Sequence, residues 1–185
     1  MVNAGSPQRF TKAARPARLF PCANGSVTIE FALLAPMLVA LIIGILQVGL
    51  LSLTQQSLET AAEDTARKVL TGQSQKAAQT SAQFKASACA TLPPMLSCNN
   101  LFVDVTTVSS FSAATLTTPT LTYDSAGNVT NTMAYSTGTR GTIVVMRLMY
   151  MMPVFDLPFG LRLSNQPGGK RLIISTAVFK NEIYS

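Results

Sequence analysis

The chain has 185 residues, of which 48% are hydrophobic and only 12% are charged, and it contains no histidine. This length allows one compact domain in addition to a membrane segment. The lack of histidine excludes Ser-His-Asp and Cys-His catalytic arrangements, and with only three cysteines it argues against a zinc site. No P-loop or G-x-G-x-x-G pattern occurs, so we expect no cofactor and no enzymatic activity.

Residues 1–25 form a basic leader that accounts for most of the formal net charge of +6. Four of the 14 basic residues lie in the leader and no acid does, so the rest of the chain has ten bases against eight acids. Without a clustered basic patch in that remainder, we expect no nucleic-acid binding. A basic segment before an apolar one follows the positive-inside rule, which predicts a cytoplasmic N terminus.

Residues 26–53 are predicted to form a transmembrane helix. From Phe31 to Leu53 the chain runs for 23 residues without a charge. At about 1.5 Å per residue this stretch spans roughly 35 Å, which exceeds a hydrocarbon core of about 30 Å. A buried core helix is the alternative, which so long an apolar run disfavours. Pro36 is expected to kink or loosen the first turns. Close helix packing is expected at the small residues Ala40, Gly44 and Gly49.

Glu30 places a carboxylate at the start of the apolar run. An acid at the centre of a bilayer costs about 2.5–3.5 kcal/mol, so such a group suggests a function and a partner. Cleavage after Gly25 would make Ser26 the amino terminus, and its amine would lie one i,i+4 helical step from Glu30. The alternative is a carboxylate that snorkels or caps the helix at the membrane interface.

Residues 54–88 are predicted to be an amphipathic helical continuation of the span. The first helix is expected to stop at Gly72. Apolar or small side chains recur there at helical spacing, opposite an acidic and basic face. Residues 73–88 either extend the helix after a break or form a second one. The apolar stripe consists of Leu58, Ala62, Thr65, Ala66 and Val69.

Cys89 and Cys98 enclose a loop that contains two prolines. Outside the membrane such a pair is typical of a disulfide. A reducing location would leave both thiols free, so the state of this pair also tests the topology.

Residues 89–185 are predicted to form a small antiparallel β domain. The strands are expected at 101–111, where polar and apolar residues alternate, at 141–152 and at 170–182. Residues 112–132 are rich in Thr, Ser and Asn and suggest a hairpin or a long exposed loop. The predicted fold class is therefore α+β, with a long N-terminal helix packed on a small antiparallel sheet.

The N-terminal sequence resembles the signal of type IVb prepilins. The features that carry this resemblance are the basic leader, Gly25, Ser26, Glu30 and Phe31, followed by the apolar helix. The last part of the chain is similar to the tail of TadE-like proteins: a strand that ends in Tyr150 and Pro153, a Gly-Gly turn, and a closing strand that ends in Lys-Asn-Glu at 180–182. Ile183 stands where that pattern has proline. The chain therefore resembles a TadE-like pseudopilin, a minor pilin of the Tad/Flp tight-adherence pilus system.

This resemblance implies cleavage by a prepilin peptidase between Gly25 and Ser26, with Glu30 and Phe31 recognised in processing and assembly. It implies a pilin-like domain, an inner-membrane location with a periplasmic C-terminal domain, and an extracellular location after assembly. The implied partners are the membrane, the prepilin peptidase, other pilins and pseudopilins, and the Tad secretion machinery. Two alternatives remain: an uncleaved single-pass scaffold of the same machinery, and a membrane-anchored surface-binding module that uses residues 112–140.

Overall fold

The computed structural model describes residues 24–115, 117–156, 160 and 162–182, with side chains from Val27 onward. The leader up to residue 23 and the predicted departure at Ile183 lie outside the described residues, so the interpretations placed on them stay predictions. The chain divides into two units, residues 1–38 and residues 39–185, and each is described by itself.

Helix α1 runs from Asn24 to Leu70 and contains 47 residues, in agreement with the single long helix predicted for 26–70. Pro36 lies inside this helix and does not end it. The helix stops at the predicted place. Gly72 has a φ of 75°, and its N–H donates to the Val69 carbonyl at 3.0 Å. Glycine adopts this left-handed conformation without steric cost and so terminates the helix.

Two short helices follow α1, which decides between the two predicted alternatives for residues 73–88. Helix α2 covers Gln73–Lys76, and helix α3 covers Ser81–Cys89. Thr80 caps α3: its hydroxyl accepts from the Gln83 N–H, while the Gln83 side chain accepts from the Thr80 N–H. This capping box starts a new helix, so the segment does not simply prolong α1.

Three strands form one antiparallel sheet in the order β1-β2-β3. Strand β1 covers Leu101–Val108, β2 covers Ile143–Pro153 and β3 covers Lys170–Lys180. The α+β class and the small antiparallel sheet are thereby confirmed. The strand predicted at 101–111 is shorter than expected, because Phe111–Ala113 forms a 3-10 turn. Outside these strands, β pairing among the described residues occurs only as isolated bridges.

The first face of the sheet is covered by the outer half of α1 and by α3, and this layer is the main core. The predicted apolar stripe of α1 faces it, which confirms the amphipathic segment. Each large aliphatic side chain buried here contributes about 1.5–3 kcal/mol relative to leaving it exposed. The buried members of the stripe are Leu58, Ala62, Thr65 and Val69, while Ala66 is partly buried. Ala61 is buried beside them, and the strands supply Leu101, Val103, Val105, Val144, Met146, Leu148, Tyr150 and Ile173.

The second face of the sheet is also covered, which the sequence did not predict. The connection between β1 and β2 folds back over this face, where four partly buried side chains pack on Met149, Met151 and Leu172: Leu121, Tyr123, Val129 and Met133. Strand β2 is therefore buried from Val144 to Met151, and β1 is not the half-buried strand that its alternation indicated. The connection has a hairpin tip, where Tyr123 and Val129 form an antiparallel bridge.

Candidate functional site

The apolar part of α1 is the candidate functional surface. Its large side chains stand exposed along residues 27–38 of the first unit and along residues 39–53 of the second, with Phe31 70% exposed. A helix that is apolar on every side needs an apolar environment around it. Within the described residues, α1 is the one helix that is long and apolar enough to cross a membrane, and its most apolar window is 0% buried.

The predicted processing residues lie at the start of α1. The backbone of Gly25 and Ser26 belongs to its first turn, and Glu30 and Phe31 follow with exposed side chains. The predicted cleavage bond thus lies in the first described turn of α1. The roles of these four residues, and the pairing of Glu30 with a Ser26 amine, stay predictions.

The three small residues of the span do not share one side of the helix. Ala40 and Gly44 are one turn apart, and the same face continues outward through Leu51 to the buried Leu58. At about 100° per residue, Gly49 lies on the side opposite Ala40. No described atom comes within 4 Å of a Cβ built on Gly49. Gln47 belongs to the Ala40 face, and its amide atoms are buried without a hydrogen-bond partner among the described residues.

Cys89 and Cys98 form a disulfide, as predicted, with their Cα atoms 5.7 Å apart. Cys89 is buried in the main core at the end of α3, whereas Cys98 is exposed and starts a 3-10 turn just before β1. The bond therefore ties the end of α3 to the start of the sheet. Within the loop that it closes, Leu92 is buried in the main core and Leu96 packs against that core.

Replacing both cysteines by serine is expected to lower the free energy of unfolding by about 2–3 kcal/mol, because the open loop gains entropy in the unfolded chain. Urea unfolding of the detergent-solubilised protein, followed by circular dichroism, measures this loss. Reductant should destabilise the natural chain by a similar amount and leave the double variant unchanged. Equal stability of oxidised and reduced natural protein would contradict the prediction.

A buried ion pair joins β1 and β2 on the second face, and sequence reasoning missed it. Arg147 Nη1 lies 2.9 Å from Asp104 Oδ2, with the two side chains 9% and 12% exposed. Arg147 Nη2 also donates to the Thr115 carbonyl, and the Ala134 N–H donates to Asp104 Oδ1 at 3.1 Å. The pair thus fastens the β1–β2 connection to the sheet. Asp104 and Arg147 are directly opposite in the strand register, which the sequence alone does not give.

Three titratable groups of the β1–β2 connection have pKa values shifted by their surroundings, and for Tyr123 the cause is burial, which raises the pKa. The Asp124 carboxylate accepts from the N–H of Asn128 at 2.7 Å, from its side-chain amide at 3.1 Å and from the N–H of Ala126 at 2.9 Å, which lowers the Asp124 pKa. Burial raises the pKa of Tyr135, whose ring packs against Phe84. In the part of the chain that the structure describes, no group of three or more Cys, Asp or Glu residues could hold a metal ion.

These features define a class: an α+β protein with a single apolar helix of membrane-spanning length and a small disulfide-bonded domain built on a three-stranded sheet. Residues 25–67 match the family model described as TadE-like protein, which confirms the resemblance over this part of the chain. The match covers 43 of the 185 residues and indicates a pilus-related protein of the Tad system. No curated protein and no solved structure matches the chain.

Proposed function

We propose that this protein is a pseudopilin, or minor pilin, of a Tad/Flp pilus system. It is inserted with its N terminus in the cytoplasm and its domain in the periplasm, and a prepilin peptidase cuts it between Gly25 and Ser26. The processed subunit then takes part in assembly or initiation of the pilus. In this proposal the protein is a substrate and a structural part, and it carries out no catalysis.

The observation that carries the proposal is where the family match begins. It starts at Gly25, at the predicted cleavage bond, and it includes Glu30, Phe31 and the whole apolar run. The match ends at Arg67, three residues before α1 ends, so it follows the helix and not the domain. Because the family pattern lies in the helix, we expect the helix to be the part of this protein that interacts with the machinery common to the family.

The physical mechanism follows from the surface of α1. In the membrane its exposed apolar side chains are solvated by lipid, and in a filament the same side chains would pack against neighbouring helices, so the transfer exchanges one apolar environment for another. Glu30 is expected to favour transfer of the helix from the membrane into the filament. Its carboxylate is unfavourable in lipid and favourable beside the amine that cleavage creates on Ser26 of the same subunit or a neighbour.

Replacing Gly25 by alanine is expected to abolish processing, because the peptidase is proposed to require glycine on the amino side of the scissile bond. The natural chain and the variant are each expressed with the cognate prepilin peptidase and extracted from membranes. Intact mass and amino-terminal sequencing then locate the terminus. We expect Ser26 as the new terminus of the natural chain and the uncut leader in the variant.

Gly49→Ala is the matched control, since the added methyl group meets no described atom within 4 Å and the variant should be cleaved like the natural chain. A natural chain that keeps its leader, while the peptidase cuts a control pilin, would refute the pseudopilin proposal. That result would favour the uncleaved scaffold.

A further inference from the structure

The β2–β3 connection lies at the end of the sheet that is nearer the apolar part of α1. The direction of β3 along the helix shows this. Near its end the Glu182 N–H donates to the Leu70 carbonyl at 3.0 Å, and nearer its start the Gln55 side chain donates to the Ile174 carbonyl at 3.4 Å. Following β3 backwards therefore leads along α1 towards lower residue numbers and the apolar segment.

The base of this connection is level with the last turns of the apolar segment. Leu163 and Arg171 line a cleft together with Val48 and Ser52 of α1. A hydrocarbon core of about 30 Å requires about 20 helical residues, so a span that begins at Phe31 leaves the hydrocarbon near residue 50. On α1 the cleft begins at Val48, level with this position, and extends outward to Glu59, so the connection starts at or just outside the outer interface of the membrane.

The connection presents an aromatic side chain beyond this base. The Val154 N–H donates to the Gly169 carbonyl at 2.9 Å and closes the hairpin, and Val154 is buried. The next residue, Phe155, is 78% exposed, the highest value among the exposed large apolar side chains of the described chain. Burying such a ring removes apolar surface from water, so its exposure is unfavourable and a partner surface would remove that cost.

A charged residue next to Phe155 suits a membrane interface better than a protein core. Asp156 is exposed and accepts from the Ser164 hydroxyl at 2.9 Å. Arg171 donates to the Leu163 carbonyl at 3.0 Å, which holds the returning chain on β3. An aromatic ring beside a charged group is typical of the headgroup level, where the ring enters the apolar layer and the charge stays in water.

We propose that Phe155, at the start of the β2–β3 connection, is a second membrane contact and inserts into the outer interface of the bilayer that α1 spans. The inference rests on the proposed membrane insertion of α1. It fixes the domain close to the bilayer surface before assembly, and a subunit leaving the membrane has to withdraw this contact.

The natural chain contains no tryptophan, so single-tryptophan variants of the full chain report on one position each. Phe155→Trp is reconstituted in phosphatidylcholine vesicles whose acyl chains are brominated near the carbonyl end, and in unbrominated vesicles. We expect brominated lipid to remove most of its emission and the emission maximum to lie to the blue of that of an exposed indole. The matched control is Phe111→Trp, at an exposed phenylalanine just beyond β1, at the opposite end of the sheet, which should keep its emission.

Leu46→Trp, at an exposed position inside the apolar segment, separates the two proposals. Quenching at positions 46 and 155, but not at 111, supports the membrane contact. Quenching at 46 alone overturns the contact and leaves the membrane insertion of α1 standing. No quenching at 46 overturns both. Equal quenching at 155 and 111 overturns the contact as a property of this connection.

Discussion

Arg147→Met is expected to lower the free energy of unfolding by about 3–5 kcal/mol, because it leaves the Asp104 carboxylate buried without its cation. The Thr115 carbonyl loses a donor in the same variant, so the β1–β2 connection should also loosen over the second face of the sheet. Denaturant unfolding of the detergent-solubilised protein measures the first effect. Amide hydrogen exchange within residues 117–135 measures the second.

The double variant Asp104→Leu with Arg147→Met should recover much of this loss, since it removes both charges and leaves side chains suited to an apolar site. Arg162→Met is the matched control, because that arginine is exposed and the change should stay within about 0.5 kcal/mol. A single Arg147 variant as stable as the Arg162 control would show that the ion pair does not hold the two strands and the connection together.

Phe84→Ala is expected to destabilise the protein by about 3–5 kcal/mol, because it opens a cavity between α3, the sheet and the β1–β2 connection. Phe84 is fully buried, and its ring centroid lies 5.3 Å from that of Tyr135 at an interplanar angle of 55°. Loss of this contact should also change the environment of Tyr135, which the near-ultraviolet circular dichroism of the folded variant reports.

Phe111→Ala provides the same chemical change at a phenylalanine that is 57% exposed, and it should cost about 0.5 kcal/mol or less. The difference between the two losses in the free energy of unfolding measures the effect of burial separately from the intrinsic effect of removing a phenyl ring. Similar losses for both would mean that α3 is not part of the cooperative core.

The helix and its stripe were predictable from the sequence because each residue's role there depends on local spacing. The uncharged run from Phe31 to Leu53 gives the apolar segment, the 3.6-residue period gives the buried face, and Gly72 gives the end. The disulfide was predictable for a similar reason, since nine residues separate the two cysteines and the loop between them contains two prolines.

The second face of the sheet was not predictable, because what covers it has no periodic pattern. Leu121, Tyr123, Val129 and Met133 are scattered among Thr, Ser and Asn, which by composition indicates an exposed loop. Only the three-dimensional register brings Asp104 opposite Arg147, 43 residues later in the chain. Nothing in the local spacing of these two residues pairs them.

The small residues of α1 lie on two opposite flanks of the helix. Ala40 and Gly44 lie on the flank that the sheet occupies farther along the chain, so a neighbouring helix that uses them must fit alongside the β2–β3 connection. Gly49 lies on the flank with no described atom near it. Gly49 therefore offers a neighbouring helix a stretch of backbone that it can approach closely from a side where no described atom stands in the way.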